Sequence, residues 1–254
     1  MRGARRHREP VPTEDHKVEC QIHGNQPATF VCQHLASGEG EGVCLGFDPE
    51  NPLALYPDAW CEACERRRAA AGEWTDDVSE VADIKLLCSG CYMEVCARNW
   101  IEDGDAYETL VGACNERLQS AQTCLIEEFG LNDWERWDWD MEKQELVFSH
   151  EGRRRVIARV TFVGTCSTDS GTWMWAWGND SLPEQVRAAL SKVKSAGEET
   201  GFRRLIQGHW AADEHDGWHM TAYAYDVLGG LGAYRTPSDR GYVYMVIRDA
   251  SRLQ

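Results

Sequence analysis

The sequence has no run of apolar residues long enough to cross a membrane, because none approaches about 18 residues. Its first 17 residues, MRGARRHREPVPTEDHK, also lack the apolar segment of a secretory leader. These two absences argue against a membrane-spanning or secreted protein and predict a reducing, cytoplasmic location. Disulfides are rare in that compartment, so the eleven cysteines are expected to be metal ligands, redox pairs or core residues.

The common catalytic and nucleotide-binding motifs are absent as well. There is no nucleophile elbow, Walker loop, dinucleotide fingerprint or H-E-x-x-H pair. Pro57 precedes Cys61-Glu-Ala-Cys64, as in one half of a nucleobase deaminase zinc site. The other half, H-x-E, is missing, since neither His23 nor His34 has the required Glu after it. We therefore predict no catalytic residues and favour a protein that is not an enzyme.

Positive charge is scarce, with 26 Lys and Arg against 42 Asp and Glu and a formal net charge of −16. Residues 1–17 carry +2 (five basic, three acidic), residues 18–100 carry −9 (five, fourteen) and residues 101–254 carry −9 (sixteen, twenty-five). An acidic surface repels phosphate backbones, which argues against binding to nucleic acid. The same charge speeds encounter with a basic protein, so the expected partner is another protein.

Four pairs of candidate metal ligands lie in the first hundred residues. Two pairs have the spacing C-x-x-C, one has the mixed spacing C-x-x-H, and one is the tighter C-x-H. Tetrahedral zinc takes thiolate and imidazole ligands, and two ligands separated by two residues can reach one metal from a tight turn. The eight predicted ligands are Cys20, His23, Cys32, His34, Cys61, Cys64, Cys88 and Cys91.

Eight ligands are enough for two closed, structural zinc sites. Their spacing leaves two arrangements open: consecutive sites, or cross-braced sites in which the first pair joins the third. Cys44 is a spare thiol that would replace His34 in either arrangement, and it is equally well explained as a small buried residue. Each structural zinc in finger peptides contributes on the order of 10 kcal/mol to folding, so this region is expected to need metal in order to fold.

The chain length suits two domains after a short tail. Residues 1–17 are Arg-rich and have no hydrophobic period, which predicts a disordered basic tail. Residues 18–100 are the predicted zinc-binding domain, which is loop-rich apart from a short helix after Cys88. Residues 105–254 are predicted to form an α+β domain, in which helices pack beside an antiparallel sheet.

Hydrophobic periodicity in the second domain predicts helices over residues 106–129 and 217–228, and a capping pattern predicts one over residues 181–195. Strands are expected over residues 156–165, 172–178, 233–236 and 242–248. Trp173, Trp175 and Trp177 would then share one strand face. They would belong to the core, or they would form an aromatic platform for a ligand.

Residues 209–219, HWAADEHDGWH, combine three histidines with three carboxylates. His215 and His219 are four apart, the spacing of two metal ligands on one helix face. With His209, Asp213, Glu214 and Asp216 they would form the acid–base site of a hydrolase or another enzyme, which is the alternative function. Carboxylates are also favoured at a helix start, so a solvated loop is the simpler interpretation. A further alternative is a nucleic-acid-associated zinc protein that uses the Arg-rich tail.

The segment from about residue 130 to residue 247 contains WERWDWDM, STDSGTWMWAWGNDSLP and AYRTPSDRGYVYMVI. These motifs resemble a bacterial family of unknown function with an S-G-T-W-x-W-A-W-x-N core. Cys20–Gly24 (C-x-x-H-G) and Phe30–Leu35 (F-V-C-x-H-L) are similar to zinc-binding modules of bacterial proteins. The opening also resembles a B-box zinc finger, although the later ligand spacing differs.

These resemblances imply a bacterial origin and bring no catalytic residues with them. Combined with the acidic composition, they predict a cytoplasmic zinc protein that acts as a macromolecular interaction module of an immunity or defence type.

Overall fold

The protein is described here from a computed structural model, in which residues 16–48, 54–131, 136–179 and 181–253 are described. Most of the predicted basic tail, residues 1–15, lies outside these ranges. The chain divides into two compact units. The first comprises residues 1–52 and 56–101, and the second comprises residues 53–55 and 102–254.

The first unit combines short strands with helices. Its strands are β1 (Lys17–Cys20), β2 (Gly24–Val31), β3 (Cys44–Leu45), β4 (Ala59–Trp60) and β5 (Lys85–Cys88). Its helices are α1 (Gln33–Ser37), α2 (Glu62–Ala71), α3 (Asp76–Ala82) and α4 (Ser89–Asn99). β2 is the central strand: it pairs antiparallel with β1 and β5 and parallel with β4, which in turn pairs with β3.

Three helices of this unit begin directly after a cysteine. Cys32, Cys61 and Cys88 are the N-cap residues of α1, α2 and α4, each with an extended backbone. α2 has the sequence EACERRRAAA, which is rich in strong helix formers, and it ends at Gly72 with a left-handed φ of 81°. Because α2 has no apolar stripe, hydrophobic periodicity does not predict it.

The core of the first unit is small and includes candidate metal ligands. Cys32, Cys61 and Cys64 are buried in one cluster with apolar residues such as Leu35 and Tyr92. A core of this size buries little apolar surface to offset chain entropy. A cross-link between these ligand residues would therefore add to the stability of this unit.

The second unit is built on an antiparallel sheet. Its strands are β6 (Arg136–Asp140), β7 (Glu145–His150), β8 (Arg153–Ser167), β9 (Thr172–Trp175), β10 (His209–Ala211), β11 (Gly232–Ser238) and β12 (Gly241–Arg252). The long β8 lies in the middle. β12 pairs along most of its length, while β7 pairs with its first half and β9 with its last residues.

Helices pack against this sheet and against one another. They are α5 (Gly104–Phe129), α6 (Glu184–Ala188), α7 (Ser191–Thr200), α8 (Arg203–Ile206) and α9 (Glu214–Leu228). α9 contacts α5, β8 and β12. The predicted α+β fold class, with an antiparallel sheet and packed helices, is confirmed. Among the described residues, the helices are too short or too polar to span a membrane.

The tryptophan-rich segment lies inside the second core. Trp173, Trp175 and Trp177 are each 0% exposed, which removes the binding-platform interpretation. The strand is shorter than expected, because it ends at Trp175, and Trp177 lies in the 3-10 helix Ala176–Gly178. Trp173 packs on Gly164, where a Cβ atom would lie only 2.5 Å from Cζ2 of the indole ring.

Two of the expected helices differ from the structure by more than two residues. The helix expected over residues 181–195 is two helices, α6 and α7, which are separated near Leu190. α9 begins before residue 217, since the side chain of Asp213 accepts hydrogen bonds from the backbone N–H groups of His215 and Asp216. Because this cap is strong, the helix starts at Glu214 and not at residue 217.

Candidate metal centre

The first candidate metal group lies where the β1–β2 turn meets the start of α4. Cys20 ends β1, His23 is in the turn, Cys88 ends β5, and Cys91 is in the first turn of α4. Nδ1 of His23 is 3.7 Å from Sγ of Cys20, 3.4 Å from Sγ of Cys88 and 3.6 Å from Sγ of Cys91. Sγ of Cys20 and Sγ of Cys91 are 3.8 Å apart. The four ligand atoms thus converge on one point.

Two neighbours fix the His23 ring in this group. A Cβ atom on Gly90 would lie 2.5 Å from Cγ of His23, so the imidazole packs directly on the glycine in the C-S-G-C turn. On the other side of the ring, Nε2 of His23 is 3.4 Å from Oε1 of Glu94. A carboxylate on the far nitrogen orients a metal-binding imidazole and makes it a stronger ligand.

The second candidate group lies between α1 and α2. Its members are Cys32, His34, Cys61 and Cys64, whose ligand atoms all lie within 4.8 Å of one another. Nδ1 of His34 is 3.4 Å from Sγ of Cys64, and the backbone N–H of Cys61 donates to Sγ of Cys32 at 3.4 Å. All three cysteines are buried. Each group therefore offers three sulfurs and one Nδ1 and could hold a metal ion.

The surroundings shift the pKa values of these thiols in different directions. Hydrogen bonds from the backbone N–H groups of His23 and Ile22 lower the pKa of Cys20 to about 6. Burial raises the pKa of Cys32 and Cys64, and it raises the pKa of Cys91 to about 12. Because a buried thiolate is costly without a nearby cation, a bound dication would stabilise the thiolates of Cys32, Cys64 and Cys91.

The structure joins the ligand pairs in a nested order, so the consecutive and the cross-braced arrangements are both wrong. The first pair meets the fourth, and the second pair meets the third. The cause is β2. Its residue Ala28 pairs with Cys88, which brings β5 beside the β1–β2 turn. Its last residue, Val31, pairs with Ala59, which brings Cys61 beside Cys32.

Cys44 belongs to neither group and does not replace His34. It lies on β3, paired with Trp60 of β4. Burial and the nearby carboxylates of Glu65 and Glu62 raise the pKa of its thiol to about 11. Cys44 is only partly buried, and it packs beside β4 rather than serving as a spare ligand.

The histidine-rich segment is organised as a helix start. Asp213 and Asp216 form a capping box at the N-terminus of α9. Asp216 also accepts a hydrogen bond from Arg204 at 2.9 Å, and Glu214 accepts one from Arg235 at 2.6 Å. These contacts occupy the carboxylates that an acid–base site would use.

The histidines of this segment are not brought together as metal ligands. The rings of His215 and His219 are 4.1 Å apart, while His209 lies on β10 and pairs with Met174. Within the described residues, the groups of three or more ligand atoms that fit one metal ion are the two Cys/His groups of the first unit.

Glu94 and the packing role of Gly90 are the site features that the sequence reasoning did not identify. Glu94 follows Cys91 by three residues on α4, which places the two on one helix face. That spacing is the signal from which Glu94 could have been found.

Most of the second unit matches one protein-family model. Residues 108–250 match a family of unknown function, DUF6882, and this match covers more than half of the chain. The chain belongs to this family. The segment of residues 130–247 that carries the tryptophan motif lies inside the matched range, whereas all eight candidate ligands of this DUF6882 protein lie outside it. Searches of curated proteins and of solved structures gave no match.

Proposed function

We propose that the first unit binds two zinc ions in closed, structural sites. One ion would be held by Cys20, His23, Cys88 and Cys91, and the other by Cys32, His34, Cys61 and Cys64. The observation that carries this proposal is the close approach of the ligand atoms in the first group. Nδ1 of His23 lies 3.4–3.7 Å from each of the three sulfurs, and the sulfurs of Cys20 and Cys91 are 3.8 Å apart.

These separations match the edges of a zinc tetrahedron. With zinc about 2.3 Å from each sulfur and about 2.05 Å from nitrogen, two sulfurs are roughly 3.8 Å apart and a sulfur and a nitrogen roughly 3.6 Å apart. Three thiolates and one imidazole are also a ligand set that zinc favours over magnesium or calcium. The second group offers the same four atom types.

The sites suit a structural role better than a catalytic one. Catalytic zinc keeps one coordination position for water or substrate, whereas each of these groups supplies four protein ligands. The cysteines of the second group are buried, which limits access of a substrate to that ion. Each zinc would contribute on the order of 10 kcal/mol to folding and so would stabilise the small core of the first unit.

Elemental analysis of the untagged protein tests the zinc proposal. We expect about two zinc ions per chain after extensive dialysis, and their stepwise release by a thiol-blocking reagent should unfold the first unit. Far-UV circular dichroism follows that loss of structure. A chain that retains less than one zinc, or that keeps its structure after release, would contradict a structural role.

For the whole protein, we propose a bacterial, cytoplasmic interaction module of an immunity or defence type, whose partner is a basic protein. Charge supports this, since residues 18–100 carry −9 and residues 101–254 carry −9. Apolar exposure in the first unit adds support: Ile84 and Leu86 at β5 are 52% and 50% exposed, and Ile22 is 77% exposed. A surface with exposed apolar side chains and acidic charge is complementary to a partner surface that presents both apolar and basic groups.

Paired captures from a host lysate test this role. The wild type is compared with a double variant, Ile84→Ser with Leu86→Ser, and with a control, Leu231→Ser, which removes an exposed apolar side chain from the second unit. We expect a basic protein to be retained by the wild type and the control, lost from the double variant, and eluted by salt. Equal retention by all three would contradict the role of this surface.

The enzyme alternative rests on His215 and His219, whose rings are in contact. It is weaker because Asp213, Glu214 and Asp216 already serve the helix cap and two arginines. Replacing both histidines with Ala distinguishes the two functions: loss of turnover on any substrate found would establish the enzyme, and unchanged turnover would remove this site.

A further inference from the structure

A basic cleft lies near the turn of the β7–β8 hairpin in the second unit. Its volume is about 270 Å³, and it is lined by His150, Arg155, Arg252 and Leu253. Two arginines and one histidine thus line one space, and no acidic residue is among the described residues that line it. This is a local reversal of sign in a chain with a net charge of −16.

A β-bulge directs one of these arginines. On β8, Arg154 pairs with Ser149 and Val156 pairs with Phe148, so Arg155 is an extra residue between two consecutive pairs. A bulge of this kind changes the direction of a side chain and is frequent beside functional sites. The backbone N–H of Leu253 donates to the Arg155 carbonyl at 2.7 Å, which holds the bulge in place.

The second arginine, Arg252, is held in position by the last two residues of α5. Nη2 of Arg252 donates to the backbone carbonyl of Glu128 at 2.6 Å, and its guanidinium lies 5.7 Å from the centre of the Phe129 ring. A guanidinium has five N–H donors, so one hydrogen bond to a carbonyl leaves most of them for a ligand. Arg252 is therefore positioned before any ligand arrives, which lowers the entropy cost of binding.

The histidine supplies a buried polar atom. Nδ1 of His150 is buried and, in the described part of the chain, has no hydrogen-bond partner. Leaving such an atom unpaired is unfavourable. An oxygen of a ligand in the cleft would satisfy it when that nitrogen carries the proton.

We propose that this cleft binds a phosphate group, either as free phosphate or as the end of a small phosphomonoester. Guanidinium groups pair with phosphate through parallel hydrogen bonds, and the terminal oxygens of a phosphate are numerous enough for two arginines and an imidazole. A nucleic-acid backbone is a poorer ligand, because the acidic remainder of the second unit would repel its neighbouring phosphates. The proposal is independent of the zinc sites.

Titration of the full-length, zinc-loaded chain with inorganic phosphate at constant ionic strength tests the site, with binding followed by calorimetry. The wild type should bind saturably at one site. Arg155→Gln should weaken binding by at least about tenfold, because it removes a charged hydrogen-bond donor from the cleft. Arg153→Gln and Arg154→Gln are matched controls, because each removes the same charge from an exposed position of the same hairpin, and they should change binding less than about twofold.

Two further measurements control for misfolding of the variants and distinguish free phosphate from a phosphomonoester as the ligand. Arg252→Gln should weaken phosphate binding as much as Arg155→Gln does. If circular dichroism shows that Arg155→Gln does not fold, Arg252→Gln provides the test in its place. Glycerol phosphate that binds more tightly than free phosphate would identify a phosphomonoester as the ligand, and the reverse order would identify free phosphate. No saturable binding by the wild type, or equal losses in Arg153→Gln and Arg155→Gln, would overturn the proposal.

Discussion

Glu94 and His23 form a carboxylate–imidazole pair directed at the first metal group: Oε1 of Glu94 is 3.4 Å from Nε2 of His23. Nδ1 of the same ring faces the sulfurs of Cys20, Cys88 and Cys91. The two ring nitrogens thus have separate tasks. With a metal bound at Nδ1, the carboxylate would hold the proton on Nε2.

The first prediction concerns this pair. Glu94→Ala should weaken zinc binding at one of the two sites by up to roughly tenfold. This is the low end of the effect expected for a carboxylate that supports a metal-binding histidine, because the Glu94 side chain is largely exposed to solvent. Competition with a chromophoric chelator measures the change. Glu80→Ala, an exposed carboxylate on α3, is the control and should leave both affinities unchanged; equal effects of the two variants would show that only overall charge matters.

The second prediction tests the nested pairing through double variants and zinc counts. Cys20→Ala with Cys91→Ala should lose one zinc, because these residues belong to the same group. Cys20→Ala with Cys61→Ala should lose both ions, because the residues belong to different groups. Cross-braced sites would give the opposite result, and consecutive sites would lose both ions in each double variant. Elemental analysis after gel filtration gives the counts.

The sequence indicates candidate metal ligands but not how they group in space. Spacing such as Cys61-x-x-Cys64 is local, and a local turn determines it. Pairing depends on which strands lie beside β2, and strands as short as β4 or β5 carry too few residues for periodicity to reveal them. In the second unit, α5 is long and strongly periodic and was predicted within two residues of its start, whereas the end of β9 depends on a turn of 3-10 helix at Ala176.

The third prediction concerns the glycine beneath His23. Gly90→Ala should displace the imidazole, since the added Cβ would lie 2.5 Å from Cγ of the ring. We expect zinc at the first site to be lost to a chelator that the wild type resists, while the second site stays filled. Gly112→Ala adds the same methyl group where nothing lies within 4 Å and should retain both ions. Retention of both ions in Gly90→Ala would show that the ring can move at little cost.

The fourth prediction separates two buried tryptophans. Nε1 of Trp175 donates to the carbonyl of Arg204 at 2.9 Å, whereas Nε1 of Trp173 has no partner in the described residues. Replacing either with Phe should destabilise the second unit, but Trp175→Phe should cost about 1 kcal/mol more, because it also removes the hydrogen bond to the part-buried Arg204 carbonyl. Urea unfolding followed by the fluorescence of the remaining tryptophans measures the difference. Equal losses would mean that packing alone determines the cost.

The fifth prediction is a pH dependence that originates in His219. Its side chain is 5% exposed, and burial, together with the neighbouring His215, lowers its pKa below the usual 6.5. In the unfolded chain the imidazole has its usual pKa and binds a proton more readily. The contribution to the free energy of unfolding is therefore present above about pH 6.5 and is lost as the pH falls towards the folded-state pKa, at no more than about 1.4 kcal/mol per pH unit.

His219→Gln should flatten this part of the stability curve of the second unit between about pH 7.5 and about pH 5.5. His215→Gln, at the exposed neighbouring position, is the matched control. It keeps the buried imidazole, so it should retain most of the slope, reduced only by the loss of a neighbouring charge. Urea unfolding followed by tryptophan fluorescence reports mainly the second unit, which contains eight of the eleven tryptophans. An unchanged slope in His219→Gln would assign the pH dependence to other groups, because a residue that does not titrate cannot carry a proton linkage.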